Sequence, residues 1–576
     1  MTIMSRIPVK HALLAAGIAL AAPLPASAQS IGYDNVSGGG DSAAAPAKEN
    51  RSKRTKRARV LGGDGGPRVD ITPYIEAMQV VTAELEPGDD VFTYSRLAAG
   101  VDGQAIGRNN GVSLSVRYER QISWDDHTDD GDVISGVLNG YTTVAPGVII
   151  QAGALATRAR VDESGGALPN PFGQDDSITQ VYSAYAGPSV STYAGDVGIN
   201  ASYRIGYTKV EQPDAFAVIP GGAPVDVFDE SVVHVADVQA GVAPGTVLPV
   251  GLGVGSSYYR EDVSNLDQRV EDFSARAMVT VPVTHTVQAT AAVGYEKVEI
   301  SSRDALRDGN GDPVIGGNGH YVTDKSAPRV LAYDVDGLIW DVGVMWRPST
   351  RTSLTAHVGK RYGSTSYTGT FSYAPSRRSA INVAVYDNVA GFGGQINRAL
   401  ADLPTDFEAI RNPLTGDLGG CVSSLEGGNC LAGMLGSLRS STFRARGVVA
   451  TYGYDFGRLE TGIGAGYDRR KFIGATGTIL GASNGVIDEN YWIAAYLNGI
   501  IDNRSSFGTN LYANWIETGG VFGGDISSIG ATASYYRDLI AGLSATAAVG
   551  VDGVNRSAAL EDYWSASALL GVRYSF

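Results

Sequence analysis

The sequence predicts an all-β fold: a closed antiparallel transmembrane β-barrel of about 22 strands, bounded by about 18 and 24, with long extracellular loops. Three observations predict it. Apolar and polar residues alternate over segments of roughly 10–15 residues, the length a tilted strand needs to cross a bilayer and longer than the strands of soluble sandwiches. Connections between the segments alternate short and long. The chain ends on "ALLGVRYSF", where Trp564, Ala566, Ala568, Leu570, Val572, Tyr574 and Phe576 share one parity. Ser565, Ser567, Gly571, Arg573 and Ser575 take the other, with Leu569 as the exception. A period of two is that of a strand with one greasy and one wet face.

Residues 1–28 read as a Sec-type signal peptide. Arg6 and Lys10 precede the apolar stretch "ALLAAGIALAAPL", and Ala26-Ser27-Ala28 supplies the small-residue cleavage pattern, so the mature chain is expected to begin at Gln29. Residues 29–68 are rich in Gly, Ser and Ala and then carry "RSKRTKRAR" from Arg51 to Arg59. Such a segment builds no core and is expected to be a disordered periplasmic stretch. It is either a solvated tether or an electrostatic dock for an anionic cell-envelope partner. Nucleic acid is excluded by compartment. The segment is also too short for the folded plug of a TonB-dependent receptor, although the strand number matches one.

Residues 69–576 form the barrel. Charged residues make up 18% of the chain, below the roughly 25% of soluble domains, and Gly, at 75 of 576, is nearly twice as frequent as usual. Both features fit strands that face lipid on one side. In "INASYRIGYTKV", Ile199, Ala201, Tyr203, Ile205 and Tyr207 oppose Asn200, Ser202, Arg204, Gly206 and Thr208; "SARAMVTV" and "RTSLTAHVGKR" repeat the pattern. Tight turns are "VAPG", "APGT", "RPSTR", "FGR" and "IDNRS". Between them lie long polar loops, among them "SWDDHTDDGD", "DESGGALPNPFGQDD", residues 303–328 and residues 390–440. Short turns at a periplasmic rim and long loops outside are the outer-membrane arrangement. The pattern over residues 367–388 leaves the strand assignment there open.

Ten basic and four acidic residues give residues 1–68 a formal +6, which leaves −21 of the net −15 on the remainder. Much of this acid sits in loops, such as Asp125, Asp126, Asp129, Asp130 and Asp132, as a solvated face or as carboxylates for divalent ions bridging to lipopolysaccharide. "DGNGDP" sets Asp308, Asn310 and Asp312 at calcium-loop spacing, but Pro313 and Gly319 stand where such a loop needs Gly and Glu.

Parity assigns Arg117, Arg204, Arg276, Arg361, Arg444, Arg446 and Arg573 to the lumen, with Glu119, Asp341 and Asp552. An Arg facing lipid near the midplane costs about 2–4 kcal/mol. These groups are either a salt-bridge mesh across the wall or guanidinium rungs of a wet channel that attracts anions or acidic sugars. A barrel of this circumference is not filled by its own strand side chains. The stretch "QINRALADLPTDFEAI" carries Ile396, Leu400, Leu403, Phe407 and Ile410 at rough helical spacing, interrupted by Pro404. Beyond it Cys421 and Cys430 enclose eight residues, and an exported chain predicts a disulfide between them. This region reads as an external lid, an inward-folded constriction loop or an exposed ordered loop.

Catalysis finds little support. "GASNG" (481–485) matches a nucleophile-elbow pattern without its strand-turn-helix context, and no His follows His357. No catalytic residue, metal site or cofactor is assigned.

Two resemblances follow from these residues. Phe576, with Tyr574 two before it and apolar residues at further alternate positions, resembles the C-terminal signal read by the barrel-assembly machinery of Gram-negative outer membranes. The stretches "VDITPYIEAMQV", "RNNGVSLSVRYERQISW", "AYAGPSV" and "FSYAPSRRSAINVAVYD" resemble the β-barrel porin 2 family. That resemblance implies a porin-like barrel in outer-membrane lipid and lipopolysaccharide, in a family that includes proteins associated with exopolysaccharide export. Similar long chains are labelled preprotein translocase accessory subunit, but that subunit has one membrane helix and a small soluble domain, and nothing here matches either. The expected function is a channel or exporter for hydrophilic, anionic or saccharide solutes. A closed structural or adhesive barrel is the first alternative and a barrel hydrolase the second.

Overall fold

The computed structural model describes residues 68–124, 131–161, 178–211, 230–376, 378–403, 411–416, 441–519, 524–556 and 562–576, with short pieces at 167–168, 216–217, 224–225, 418, 421–422 and 429–430. The signal peptide and the basic run Arg51–Arg59 lie outside them.

The strands are β1 (Arg68–Glu86), β2 (Val91–Ile106), β3 (Asn110–Ser123), β4 (Gly131–Ala145), β5 (Val148–Val161), β6 (Ile178–Ala194), β7 (Val197–Glu211), β8 (Glu230–Val242), β9 (Gly251–Val263), β10 (Gln268–Pro282) and β11 (Val287–Ser302). They continue with β12 (Val330–Ser349), β13 (Thr352–Arg361), β14 (Ser364–Ser376), β15 (Ser379–Ala390), β16 (Phe443–Asp455), β17 (Leu459–Phe472), β18 (Ile487–Ile500), β19 (Ser505–Glu517), β20 (Asp525–Ile540), β21 (Leu543–Arg556) and β22 (Tyr563–Ser575). Each pairs antiparallel with its sequence neighbours, and β1 pairs with β22 from Tyr74↔Ser575 to Glu86↔Trp564. The sheet is therefore a closed ring of 22 strands, as the alternation predicts. Closure gives every strand a hydrogen-bonded neighbour on both sides, which hydrocarbon requires because it offers no partner to an exposed peptide group. Residues 367–388, undecided by pattern, fall in β14 and β15.

All five tight turns named above lie at one rim and the long loops at the other. The outward face carries the apolar residues: Ile75, Leu97, Val116, Ile205, Val254, Val342, Ile493, Val549 and Val572 are exposed. Outward aromatics gather toward the long-loop ends of strands, as at Tyr118, Tyr207, Tyr295 and Trp515, and toward the short-turn ends, as at Tyr193, Tyr373, Tyr574 and Phe576. Two such belts mark the interfaces of an outer-membrane barrel. On the last strand Leu570 is 70% exposed while its neighbour Leu569 is 2% exposed. The exception to the alternation thus points into the bore.

The ring is pinched near its long-loop end. β14 and β15 pair only between residues 369–376 and 379–385, so the two strands part above Gly369. Tyr362, at the β13–β14 turn, donates its N–H to the Glu296 carboxylate at 2.7 Å and its hydroxyl to Asp272 at 3.0 Å. Val389 and Ala390 of β15 pack with Tyr362 against Val233, Tyr259, Val270, Val298 and Ile300 of the inner wall. The backbone N–H of Thr442, just before β16, donates to the Gln268 side chain at 3.2 Å. The upper ends of β15 and β16 therefore lean into the bore and cover the inner face of β8–β11.

Candidate functional site: the bore and the segment that crosses it

The segment between β15 and β16 enters the bore. It opens with helix α1 (Phe392–Ala401). Ile396 and Leu400, both predicted at helical spacing, are fully buried, and Leu403 is buried after them. Phe407 and Ile410 lie outside the described residues.

Polar wall groups seat α1. The Glu261 carboxylate on β9 accepts the backbone N–H of Gly391 and, at 2.9 Å, that of Gly394. Ser231 and Tyr259 also donate their hydroxyls to it. A carboxylate is favourable there, because the first N–H groups of a helix have no partner within it. Asn397 donates to Ser183 Oγ at 2.9 Å and Thr208 Oγ1 at 3.0 Å. It sits over Gly206, where a Cβ would lie 2.0 Å from its Oδ1. The small residue on β7 makes the seat.

The segment then reaches the far wall. Asn139 on β4, half the ring away from β15, donates its amide to the Leu403 carbonyl, and the Tyr185 hydroxyl donates to Asn139 Oδ1 at 2.9 Å. Residues 411–416 lie against β1–β5 and the closing strands. Arg411 donates to Ser135 Oγ at 2.6 Å, to Ser115 Oγ at 3.0 Å and to the Gly416 carbonyl at 2.9 Å. Arg96 donates to the Leu414 carbonyl and Arg158 to that of Thr415, at 3.2 Å. The Leu414 side chain is buried among Val80, Phe92, Tyr94, Ala548 and Leu569. The inward Leu569 is thus the apolar floor on which the segment rests. Of the readings open for this region, the described residues take the inward-folded one.

The arginines assigned by parity divide. Arg117, Arg204, Arg276, Arg361 and Arg573 face inward, as do Glu119, Asp341 and Asp552. Arg117 pairs with Glu119 at 2.7 Å and with Glu76; Arg96 pairs with Glu119 as well. Arg573 pairs with Asp102 at 2.7 Å and Glu76 at 3.4 Å, with its guanidinium 3.5 Å from the Tyr74 ring centre. Arg361 pairs with Asp272 at 2.9 Å and Arg276 with Asp341 at 3.5 Å; Asp341 also meets His357 at 3.0 Å. Tyr512 donates to Asp552. Arg444 and Arg446 differ from the expectation. They share the face of the outward Val448 and Tyr452, and both pair with Asp387, at 2.7 and 3.2 Å. They escape lipid because β14 and β15 part at this height, and Arg444 and Arg446 both donate to Ser364 Oγ, at 2.6 and 3.0 Å. Parity fails there because the wall no longer divides lipid from lumen.

Arg204 stands apart. Its guanidinium lies 5.7 Å from the Tyr185 ring centre, and that of Arg398 on α1 lies 5.8 Å from the Tyr259 ring centre. Among the described residues no carboxylate lies within ion-pair distance of either, although both are near enough to Asp402 to act on it electrostatically. Arg96, Arg398, Arg411 and Glu261 were not singled out in the sequence. The signal available for Arg96 was parity, obscured because Phe92 and Tyr94 face inward beside it.

A bore lined by polar groups, inside a ring whose outer face is apolar between two aromatic belts, decides the class. The chain is an outer-membrane β-barrel. No protein-family model and no curated protein matches it. Similar solved structures include the closed form of the ferric-catecholate import receptor Fiu of E. coli K12, with TM-score 0.41 and 11% identity over 89% of this chain and 82% of that one. Others are the FrpB iron transporter of Neisseria meningitidis, with TM-score 0.41 and 9% identity over 87% and 81%, and the ferric preacinetobactin receptor BauA of Acinetobacter baumannii, with TM-score 0.39 and 10% identity over 88% and 80%.

The remaining motifs of the barrel fall in loops. Ser483 of "GASNG" sits in a short 3-10 turn and donates its hydroxyl to the Leu480 carbonyl at 2.8 Å. Asp308 of "DGNGDP" accepts the backbone N–H of Asn310 and Asp312, which hold its carboxyl below the usual range. Cys421 stands directly opposite Cys430 in a two-residue antiparallel ladder.

Proposed function

We propose that the protein is a gated outer-membrane channel for hydrophilic solutes, anionic or saccharide in character, with the segment 391–418 as its constriction. One observation carries the reading. Among the described residues the segment is held in the bore by side-chain hydrogen bonds and by its buried apolar side chains, and it brings Arg398 into the part of the bore where Arg204 has no carboxylate at ion-pair distance. Two guanidinium groups with only the Asp402 carboxylate near them, and none at ion-pair distance among the described residues, favour anions.

The companion proposals follow from the class. Tyr574 and Phe576 serve as the assembly signal, Cys421 and Cys430 form a disulfide, and Arg51–Arg59 docks on an anionic envelope partner.

Planar-bilayer recording tests it. Ion conductance with anion preference is expected, and Arg204→Glu with Arg398→Glu should weaken or reverse that preference. The closed-barrel reading is favoured by the paired mesh of Arg96, Arg117, Glu76 and Glu119. It would prevail if the protein stayed silent even after the segment is unseated.

A further inference from the structure

A shallow concavity of about 680 Å³ lies on the outer face, over the strands that close the ring. Two adjacent hydrogen-bonded rows build it. In one, Arg537 of β20 stands opposite Ala545 of β21, which stands opposite Val572 of β22. In the next, Tyr535, Ala547 and Leu570 follow in the same order. Ala545 and Ala547 are the floor, because their methyl groups stand between the taller Tyr535 and Arg537 on one side and Leu570 and Val572 on the other. The trough continues across Ala77 of β1.

Arg537 is the unexpected member. It is exposed on the lipid face, three residues from the short-turn end of β20, and its guanidinium donates to the Tyr535 hydroxyl at 3.4 Å. The Tyr535 hydroxyl in turn donates to Ser505 Oγ at 3.0 Å. Among the described residues no carboxylate lies within ion-pair distance of Arg537, although Asp502 in the neighbouring turn is near enough to act on it electrostatically. A cation at this depth is tolerable near the headgroups and costly toward the midplane. It keeps full value only if an anion meets it there. Arg537 lies one row from the outward Tyr574 of the short-turn aromatic belt, the level at which an outer-membrane barrel meets lipid headgroups, and the leaflet at that rim consists of phospholipid.

We propose that this concavity is a binding site for an anionic glycerophospholipid, with the phosphate on Arg537 and one acyl chain laid over Ala545 and Ala547. The site requires both parts. The guanidinium selects the phosphate by a charge-assisted hydrogen bond, and the alanine trough removes the chain from the fluid lipid. It is independent of what passes through the bore.

Native mass spectrometry of the full chain, purified in mild detergent and incubated with phosphatidylglycerol, tests the site. One lipid should be retained per barrel. Arg537→Gln should lower retention about tenfold, the loss of one charge-assisted contact. Ala547→Trp, which fills the trough and leaves the charge in place, should lower it by a similar factor. Arg458→Gln, a cation in the turn Phe456–Arg458 at the same rim, should leave it unchanged. Heat-modifiable electrophoretic mobility checks that each variant is a folded barrel. Equal retention by all folded variants, or a loss with Arg458→Gln as large as with Arg537→Gln, overturns the proposal.

Discussion

The carboxylate of Glu261 accepts the backbone N–H of Gly394 at 2.9 Å, which ties the first turn of α1 to the inner face of β9. It is also fully buried and receives the Ser231 and Tyr259 hydroxyls. Hydrogen bonds to a charged group contribute about 1.5–3 kcal/mol each. Glu261→Ala should therefore unseat α1 without opening the ring, whose ladders do not involve this side chain. Trypsin reads this directly. Cleavage after Arg398 and Arg411 should be slow in the native protein and at least tenfold faster in the variant, the factor that about 1.4 kcal/mol produces. Equal cleavage rates would show that the helix is held by its apolar face alone.

Gly206 gives a second way to unseat the segment, from the other side of the helix. A Cβ there would lie 2.0 Å from Asn397 Oδ1, against side-chain atoms that also bond Ser183 and Thr208. Gly206→Leu should push the helix off β7 and raise single-channel conductance several-fold above the parent. The paired variant Asn397→Ala with Gly206→Ala, which restores space, should return conductance toward the parent value. A silent Gly206→Leu barrel that still migrates as folded would support the closed-lumen reading.

The ring was legible in the sequence because its constraint is local and repeated. Val572, Leu570 and Tyr574 had to alternate with Arg573 and Gly571 whatever happened in the rest of the chain. Closure and the division into turns and loops then followed from the absence of any other way to satisfy peptide groups in lipid. The bore was less legible because its contacts join residues far apart in the chain. Asn139 meets Leu403, and Arg96 meets Leu414, and neither pairing leaves a periodic mark. Leu569 is the instructive residue. It broke the alternation, and the break marked where Leu414 docks. Arg444 and Arg446 fail for a different reason: parity assumes a wall with water on one face and lipid on the other, and at the height of Asp387 the parted strands β14 and β15 remove that assumption.

Glu119 holds two guanidinium groups, Arg96 and Arg117, and all three side chains are almost fully buried. Their arrangement neutralises the wall where residues 411–416 rest. Removing the shared carboxylate leaves two buried cations with reduced compensation, a change that costs about 3–5 kcal/mol in comparable buried pairs. Glu119→Ala should lower the unfolding free energy in vesicles by that amount, while Arg120→Ala, from the exposed pair with Asp132, should cost less than about 1 kcal/mol. A Glu119 variant as stable as the Arg120 variant would mean that water reaches the cluster.

The ladder that sets Cys421 opposite Cys430 has a spacing a disulfide can bridge, since directly opposed residues in antiparallel strands lie about 4.5–5.5 Å apart. Intact mass of the exported protein should show two hydrogens lost and no alkylation until a reductant is added. Because the loop closed is short, the bond should contribute about 3 kcal/mol or less, confined to the connection between β15 and β16. Cys421→Ser with Cys430→Ser should therefore leave barrel unfolding unchanged. Free thiols in the oxidised protein would refute the pairing.

The strand faces themselves can be tested on one hairpin arm. Val549 lies at the middle of β21, outward and 58% exposed, whereas Thr546 on the same strand faces the bore. An arginine at 549 meets hydrocarbon and should cost about 2–4 kcal/mol, as at other midplane positions of outer-membrane barrels. An arginine at 546 meets the water of the bore and should cost less than about 1 kcal/mol because no charge leaves water. Urea unfolding of the two variants in phospholipid vesicles separates these costs. If Val549→Arg and Thr546→Arg were equally mild, the outer face would not be in lipid at that height, and the assignment of inside and outside would have to be reversed or abandoned for this strand.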